Sequence, residues 1–329
     1  KHRRRQRQMC IRDRNNILYM KIISEKTDLK KTFLAIFTML LGVVCVDLYL
    51  VVIRLIGNDY SVFKLAVFRN FFAIIPLLIL LLFTQEYSSL FKKVSNKFIV
   101  LSCLRGLSFL AMNLFIFISV INVEFATAMT LTFSSPFFIV ILSIFFLNDK
   151  VGIYRWSAII VGFIGVVLIL KPTSDIFNFY SIFSIFTAIA WAFSVIILKF
   201  IPKGYSTSKI QFYTLLFNVI GALILFIILS SDFNINSTRD LMLMMLTGIL
   251  GGSAAILFVY AYRLISVSKL ASFEYFGIPS SFLLGWLFFN EAPWSQLFPG
   301  VLLIVSAGFI IIWRDAQKNK PVKGNKKFY

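Results

Sequence analysis

Residues 134–172 read SSPFFIVILSIFFLNDKVGIYRWSAIIVGFIGVVLILKP, and this stretch decides which solvent the chain is written for. Two apolar runs flank a short polar break at Asn148-Asp149-Lys150. A helix rises about 1.5 Å per residue, so about 20 apolar residues cross a hydrocarbon layer roughly 30 Å thick. The period-two alternation of a lipid-exposed β-barrel is absent, and a helix is the other way to satisfy a backbone in lipid. Working outward, the same pattern fills the chain. Ten spans are read, over residues 32–55, 62–83, 98–120, 123–147, 153–170, 178–200, 210–230, 240–264, 270–289 and 294–313. The expected fold class is an all-α integral membrane protein of ten transmembrane helices.

Composition agrees. The 329 residues are 59% hydrophobic and 14% charged, with a mean hydropathy of +0.87. A soluble domain needs more polar surface than that. The net charge of +19 would suit nucleic acid. The basic residues, however, sit in short loops and tails, where membrane proteins keep them on the cytoplasmic side. No soluble basic face is left for a nucleic-acid partner. Cys10, Cys45 and Cys103 suggest no disulfide framework, and the one histidine, His2, lies in the tail, so no metal site is expected. No Walker A motif, serine triad or His/Cys cluster appears. No catalytic residue, no cofactor and no enzyme activity are expected, and the driving force must be an ion gradient or solute exchange.

Loop charge sets the orientation. Lys92, Lys93, Lys97, Lys150, Arg155, Lys199, Lys203, Lys209, Arg263 and Lys269 fall on one side with both tails. Lys171 and Arg239, with Arg54 and Lys64 as borderline cases, fall on the other. Both termini are therefore expected in the cytoplasm of a bacterium, with the chain multi-pass in its inner membrane. Residues 1–31 and 315–329 read as basic tails. Within the first, residues 1–19 resemble a translated cloning adaptor, with Met20 as the natural start; a genuine basic tail is the alternative.

The opening stretch has an echo. GIPSSFLLGWLFFNEAP, residues 277–293, repeats its proline, apolar run and acid. Pro136 and Pro279 are 143 positions apart, Asp149 and Glu291 142, and Gly165 and Gly308 143. Residues 32–171 and 172–314 are thus expected to be two five-helix repeats. An odd number of spans inverts the second half, the architecture of alternating-access carriers.

With these segments in place, together with LRGLSFLAMNLFIFIS (104–119) and AYRLISVSKLASFEYF (261–276), the chain resembles the drug/metabolite transporter superfamily in its ten-helix EamA-type branch. The resemblance covers about residues 32–314. It implies a central cavity lined by spans one, three, four, six, eight and nine, with spans five and ten peripheral. The Arg-Gly of span three, the Ala-Tyr-Arg and the Phe-Glu-Tyr are similar to the subgroup with uptake carriers for S-adenosylmethionine and riboflavin. The family's Gly-Glu after span four is Asn148-Asp149 here and Asn290-Glu291 in the second half, which leaves the role of that glycine open.

An ionisable group inside hydrocarbon costs several kcal/mol, so it marks function or pairing. Asp47, Arg69, Arg105 and Glu274 qualify. Depth along each span suggests two charge layers, Asp47 with Arg69 near the outside and Arg105 with Glu274 near the inside. Such layers would bind a charged or zwitterionic solute or act as gates; structural ion pairs and arginines snorkelling to headgroups are the alternatives. Pro136 and Pro279, with Gly277 nearby, are candidate helix breaks or hinges. Trp191, Tyr260 and Tyr275 are candidate stacking residues, against ordinary packing. Asn113 would bind substrate or a neighbouring helix. Glu124, Arg263, Asp149 and Glu291 read as solvated helix ends.

The expectation is a secondary carrier for a small organic metabolite, taking up a vitamin or nucleoside-like solute such as S-adenosylmethionine or riboflavin. Amino-acid or metabolite export is the alternative within the class. An integral membrane enzyme or lipid-handling protein, or a scaffold that transports nothing, is the alternative outside it. The partners expected are the solute and membrane lipids, with a homodimer left open.

Overall fold

A computed structural model describes residues 31–57, 59–90, 92–148, 153–170, 178–230, 232–265, 270–291, 298–303, 305–306 and 310. Both tails, Asp149, Lys171 and Gly308 lie outside the described residues. The described chain is helical, with no strand among the described residues. Its longer helices are α1 (Lys31–Ile56), α2 (Val62–Thr84), α3 (Asn96–Asn122), α4 (Phe125–Leu147), α5 (Ile153–Leu170), α6 (Ser181–Phe200), α7 (Thr207–Leu229), α8 (Thr238–Leu264) and α9 (Gly277–Phe289). All but α5 and α9 are identified as long and apolar enough to cross a bilayer, seven helices in all. Their outer faces carry side chains that only lipid would suit, such as Phe83 at 85% and Phe145 at 74% exposure.

Short polar signals start and stop these helices. The hydroxyls of Ser61, Ser95, Ser206 and Ser237 accept from the backbone N–H groups of Lys64, Phe98, Lys209 and Asp240 at 3.2–3.3 Å. Each satisfies an orphan donor, typically worth about 1 kcal/mol. Asn148 and Asn290 end α4 and α9 with φ of 53° and 55°. Asparagine tolerates the left-handed conformation better than most residues, so it takes over there what a glycine would do.

Three helices are interrupted. Ala73 separates Val62–Phe72 from Ile74–Thr84 in α2. Phe133 and Ser134 separate Phe125–Thr132 from Ser135–Leu147 in α4. A 3₁₀ turn, Ala271–Phe276, runs into α9. Pro136 sits in the first turn of the second half of α4, and Pro279 in the first turn of α9. Each therefore restarts a helix where its missing N–H would be unpaired anyway, rather than disrupting a continuous one.

Packing brings α3 against α6 and α7, α2 against α8, and α4 against α6 and α9. Two crossings are matched. A Cβ added at Gly106 of α3 would lie 2.8 Å from the carbonyl oxygen of Thr214 in α7. A Cβ added at Gly248 of α8 would lie 2.8 Å from that of Arg69 in α2. Glycine is needed at both because backbone approaches backbone. Gly106 and Gly248 are 142 positions apart, Arg69 and Thr214 145.

The loops are matched as well. The Tyr60 hydroxyl accepts from Asn236 N–H at 2.8 Å, and Lys64 Nζ donates to the Asn234 carbonyl at 2.6 Å. The Tyr205 hydroxyl accepts from Ser95 N–H at 3.0 Å, and Lys209 Nζ donates to the Lys92 carbonyl at 2.9 Å. The two tyrosines and two lysines belong to Tyr60-Ser61-Val62-Phe63-Lys64 and Tyr205-Ser206-Thr207-Ser208-Lys209, 145 positions apart. Tyr60 also donates to Asp240 at the start of α8, while Lys199 donates to the Tyr262 carbonyl at its end. By helix rise those two points are about 33 Å apart. The loop tied by Tyr60 and the end of α6 thus lie on opposite faces of the bundle.

Candidate functional site

The interruptions in α4 and before α9 converge. A Cβ at Gly277 would run into the Phe133 ring, so the two breaks touch. Beside them lies a cavity lined from α1 by Val43, Val46, Asp47 and Leu50, and from α4 by Met129, Thr132, Phe133 and Ser135. Phe109 and Met112 of α3, Thr187 and Trp191 of α6, and Gly251, Ala254 and Phe258 of α8 add to the wall, with Glu274 before α9 and Arg69 of α2. Its volume is about 80 Å³. That is well below the roughly 300–1,000 Å³ of a pocket that encloses an organic solute.

Glu274 is buried and held by three donors. Ser135 Oγ donates to Oε2 at 2.8 Å, Trp191 Nε1 to Oε1 at 2.9 Å, and the Tyr262 hydroxyl also to Oε1. These come from α4, α6 and α8, so one carboxylate knits three helices. Trp191 is fixed in turn by edge contact with Phe109, ring centroids 5.7 Å apart, and by Phe258 at 5.1 Å.

Asp47 is fully buried. Its Oδ2 accepts from Ser280 Oγ of α9, and its Oδ1 has no hydrogen-bond partner among the described residues. A carboxylate oxygen buried without a donor is unfavourable unless something else supplies one. Since Asp47 lines the cavity, the place for that donor is the cavity itself.

Arg69 lies over the Tyr49 ring at 5.2 Å and donates to Asn70 Oδ1 at 2.8 Å. Its guanidinium rests on Gly251, where any Cβ would collide with it. Asn70 also donates to Asn218 of α7 at 2.8 Å and accepts from Asn113 at 3.4 Å.

This geometry corrects the two charge layers. Among the described residues Asp47 does not pair with Arg69, nor Arg105 with Glu274. Arg105 donates to Thr214 Oγ1 at 2.9 Å, stacks over Phe109 at 4.9 Å, and does not line the cavity. It faces α7 with its neighbour Gly106, whereas Glu274 faces α4, α6 and α8. Tyr260 is corrected too: it is 40% exposed and off the cavity, while Tyr262, on the other side of α8, reaches Glu274. Asn113 joins helices rather than the cavity. Of Tyr275 only the backbone, within the 3₁₀ turn, is described; its side chain lies outside the described residues. Glu291, expected as a solvated helix end, instead pairs with Arg54. Asp47, Arg69, Trp191 and Glu274 share the cavity wall as neighbours. Ser135, Ser280 and Tyr262 were missed; a small hydroxyl in a membrane helix carries little signal in one sequence.

Comparison with known proteins adds family to geometry. The profile of the EamA-like transporter family matches twice, over residues 33–171 and 178–313. An S-adenosylmethionine uptake transporter of Rickettsia bellii is 29% identical over 80% of this chain and 88% of its own length. A protein of the same name from Rickettsia prowazekii is 29% identical over 88% of this chain and 96% of its own length. A riboflavin transporter of Rhizobium johnstonii is 30% identical over 59% of this chain and 63% of its own length. A protein of known crystal structure has the same fold, with a TM-score of 0.65 at 18% identity over 88% of this chain and 99% of that one.

Proposed function

This chain belongs to the EamA-like transporter family, a multi-pass membrane protein that transports a metabolite and is not an enzyme, and from that premise we propose that it is an alternating-access carrier for a cationic or zwitterionic, nucleoside-like solute. The observation that carries this reading is the unpartnered Oδ1 of the buried Asp47 on the cavity wall. A solute ammonium or sulfonium would supply the missing countercharge. Arg69, on the same wall, would take a solute carboxylate, and Trp191, Phe109 and Phe258 would flank a planar ring. Two acids against one base line the cavity, which favours a net cation over the neutral flavin ring. The relatives named for S-adenosylmethionine uptake point the same way.

The fold assignment that goes with this reading is ten helices in two inverted repeats, residues 32–171 and 172–314. The matched crossings at Gly106 and Gly248 and the matched ties of Tyr60 and Tyr205 support it. Both termini are assigned to the cytoplasm of a bacterial inner membrane, with surrounding lipid against Phe83 and Phe145. Pro136, Gly277 and Pro279 lie where the two broken helices would flex. Counterflow in proteoliposomes tests the reading: labelled S-adenosylmethionine should show saturable uptake accelerated by unlabelled solute inside, and riboflavin should compete weakly. Uptake that unlabelled solute fails to accelerate would remove the carrier assignment.

A further inference from the structure

A cavity of about 80 Å³ is too small for an organic solute, so the path has to widen before one binds. Arg54, near the end of α1, gathers three segments. One guanidinium nitrogen donates to the Val123 carbonyl in the α3–α4 turn at 2.7 Å, and another pairs with Glu291 beyond α9. The second oxygen of Glu291 accepts from the Phe125 N–H at 2.8 Å, one of the orphan donors at the start of α4. The guanidinium also lies over the Phe289 ring at 4.7 Å. The same three segments deliver Asp47, Thr132 and Glu274 to the cavity. Arg54 is seven residues beyond Asp47, so by helix rise the knot sits about 10 Å along the axis from the cavity.

The opposite face has a counterpart. Lys199 follows Arg54 by 145 positions, and Ile265 follows Val123 by 142. Lys199 Nζ donates to the Ile265 carbonyl at 3.3 Å as well as to Tyr262, whose hydroxyl reaches Glu274. Lys199 is eight residues beyond Trp191 on α6, about 12 Å along the axis, and on the face opposite Arg54.

We propose that the Arg54–Glu291 pair is the latch of one mouth of the transport path and Lys199 the equivalent lock of the other, so that solute gains access from a face only when the cation on that face lets go. The proposal rests on the reading of the cavity as the solute path. A latch released in every cycle must be weakly favoured. Arg54 and Glu291 are each about four-fifths buried, so desolvation offsets much of their attraction. Burial pushes the Glu291 carboxyl above the usual range, although the Phe125 N–H and Arg54 both pull it down.

The test uses Thr132→Cys as a reporter in a chain lacking Cys10, Cys45 and Cys103, labelled by a membrane-impermeant maleimide in right-side-out and inverted vesicles. Arg54→Gln and Glu291→Ala should each speed labelling about tenfold from one face, and the double variant no more than either alone. Lys199→Gln should speed it from the opposite face. Arg54→Lys, which keeps the charge but replaces the guanidinium fork with a single ammonium, should label at a rate between the parent and Arg54→Gln, and an unchanged melting temperature in each variant controls for misfolding. Unchanged labelling, or both sites acting on the same face, overturns the latch while leaving the cavity assignment intact. If S-adenosylmethionine neither protects the reporter nor loses counterflow when it is labelled, the cavity is not the path, and the latch falls with it. An inverted orientation merely exchanges the two faces.

Discussion

Replacing Asp47 with Asn should move solute binding and protein stability in opposite directions. The side chain is fully buried, and one oxygen is held by Ser280 while the other has no partner among the described residues. Without solute, the carboxylate bears a desolvation penalty that a single hydroxyl does not offset. Asn keeps the acceptor for Ser280 and removes the charge, so the solute-free protein should melt at the same temperature or higher. With solute, the lost contact is a charge-assisted one, worth about 1.5–3 kcal/mol. At about 2 kcal/mol the dissociation constant of a cationic solute rises about 30-fold. Equilibrium binding of labelled S-adenosylmethionine to detergent-purified protein and thermal melting of the same samples check both halves. A variant that melts markedly lower yet binds as before would refute the reasoning, because Asp47 would then be a structural acid whose partner is already within the protein.

Glu274→Ala strands donors from Ser135, Trp191 and Tyr262, each costing about 1–3 kcal/mol, so it should melt far below Glu274→Gln, which retains acceptors; equal melting would mean the three-helix junction does not form. Gly106→Ala and Gly248→Ala should each destabilise by about 1–3 kcal/mol, since the neighbour is backbone and cannot swing aside, whereas Gly204→Ala, with nothing within 4 Å, should stabilise by less than about 1 kcal/mol; a melting series on the three checks this. For Glu291, the raised pKa means the latched form holds its proton more tightly than an exposed carboxyl does, with Arg54 and Glu124 as its charged neighbours. Its contribution to closure is full below about pH 4.3 and fades as pH rises through the raised value. Divided by the rate of an exposed cysteine at each pH, which removes the thiol's own ionisation, labelling of the Thr132→Cys reporter should therefore quicken across that window, and Glu291→Gln should flatten the corrected profile.

Among the described residues, helix placement along the chain was legible because hydrocarbon demands a length of apolar residues and little else. The described helices fall within a few residues of the expected spans, as with Asn96–Asn122 against 98–120. Partners were less legible. Depth along a span says how deep a charge lies and nothing about which way it points. Arg105 and Glu274 were expected at one level yet face different helices, and only the small Gly106 beside Arg105 hinted at a close crossing. Tyr260 and Tyr262 differ by two residues, about 200° around a helix, so choosing between them needs a phase that a uniformly apolar helix does not display. The Tyr-Ser-x-x-Lys pair was available to the same spacing comparison that matched Pro136 with Pro279, but it lies at loop ends, where polar residues look unremarkable.

The two glycine crossings carry one more consequence. Their backbones correspond, yet the side chains beside them do not: Arg69 and Arg105 stand on one half of the chain, and at the equivalent places on the other half stand Thr214 and Thr247. In the exchange of shapes proposed for the two halves, these guanidinium groups would move against no equivalent cation, and the buried acids Asp47 and Glu274 against no equivalent acid, with Ala192 and Leu131 in the matching places. The charge carried by that step is the difference between the two displacements, and in the bilayer field one full elementary charge is worth about 2.3 kcal/mol per 100 mV. Replacing either arginine by threonine should therefore change the voltage response of the solute-free protein, by an amount set by the distance its charge travels.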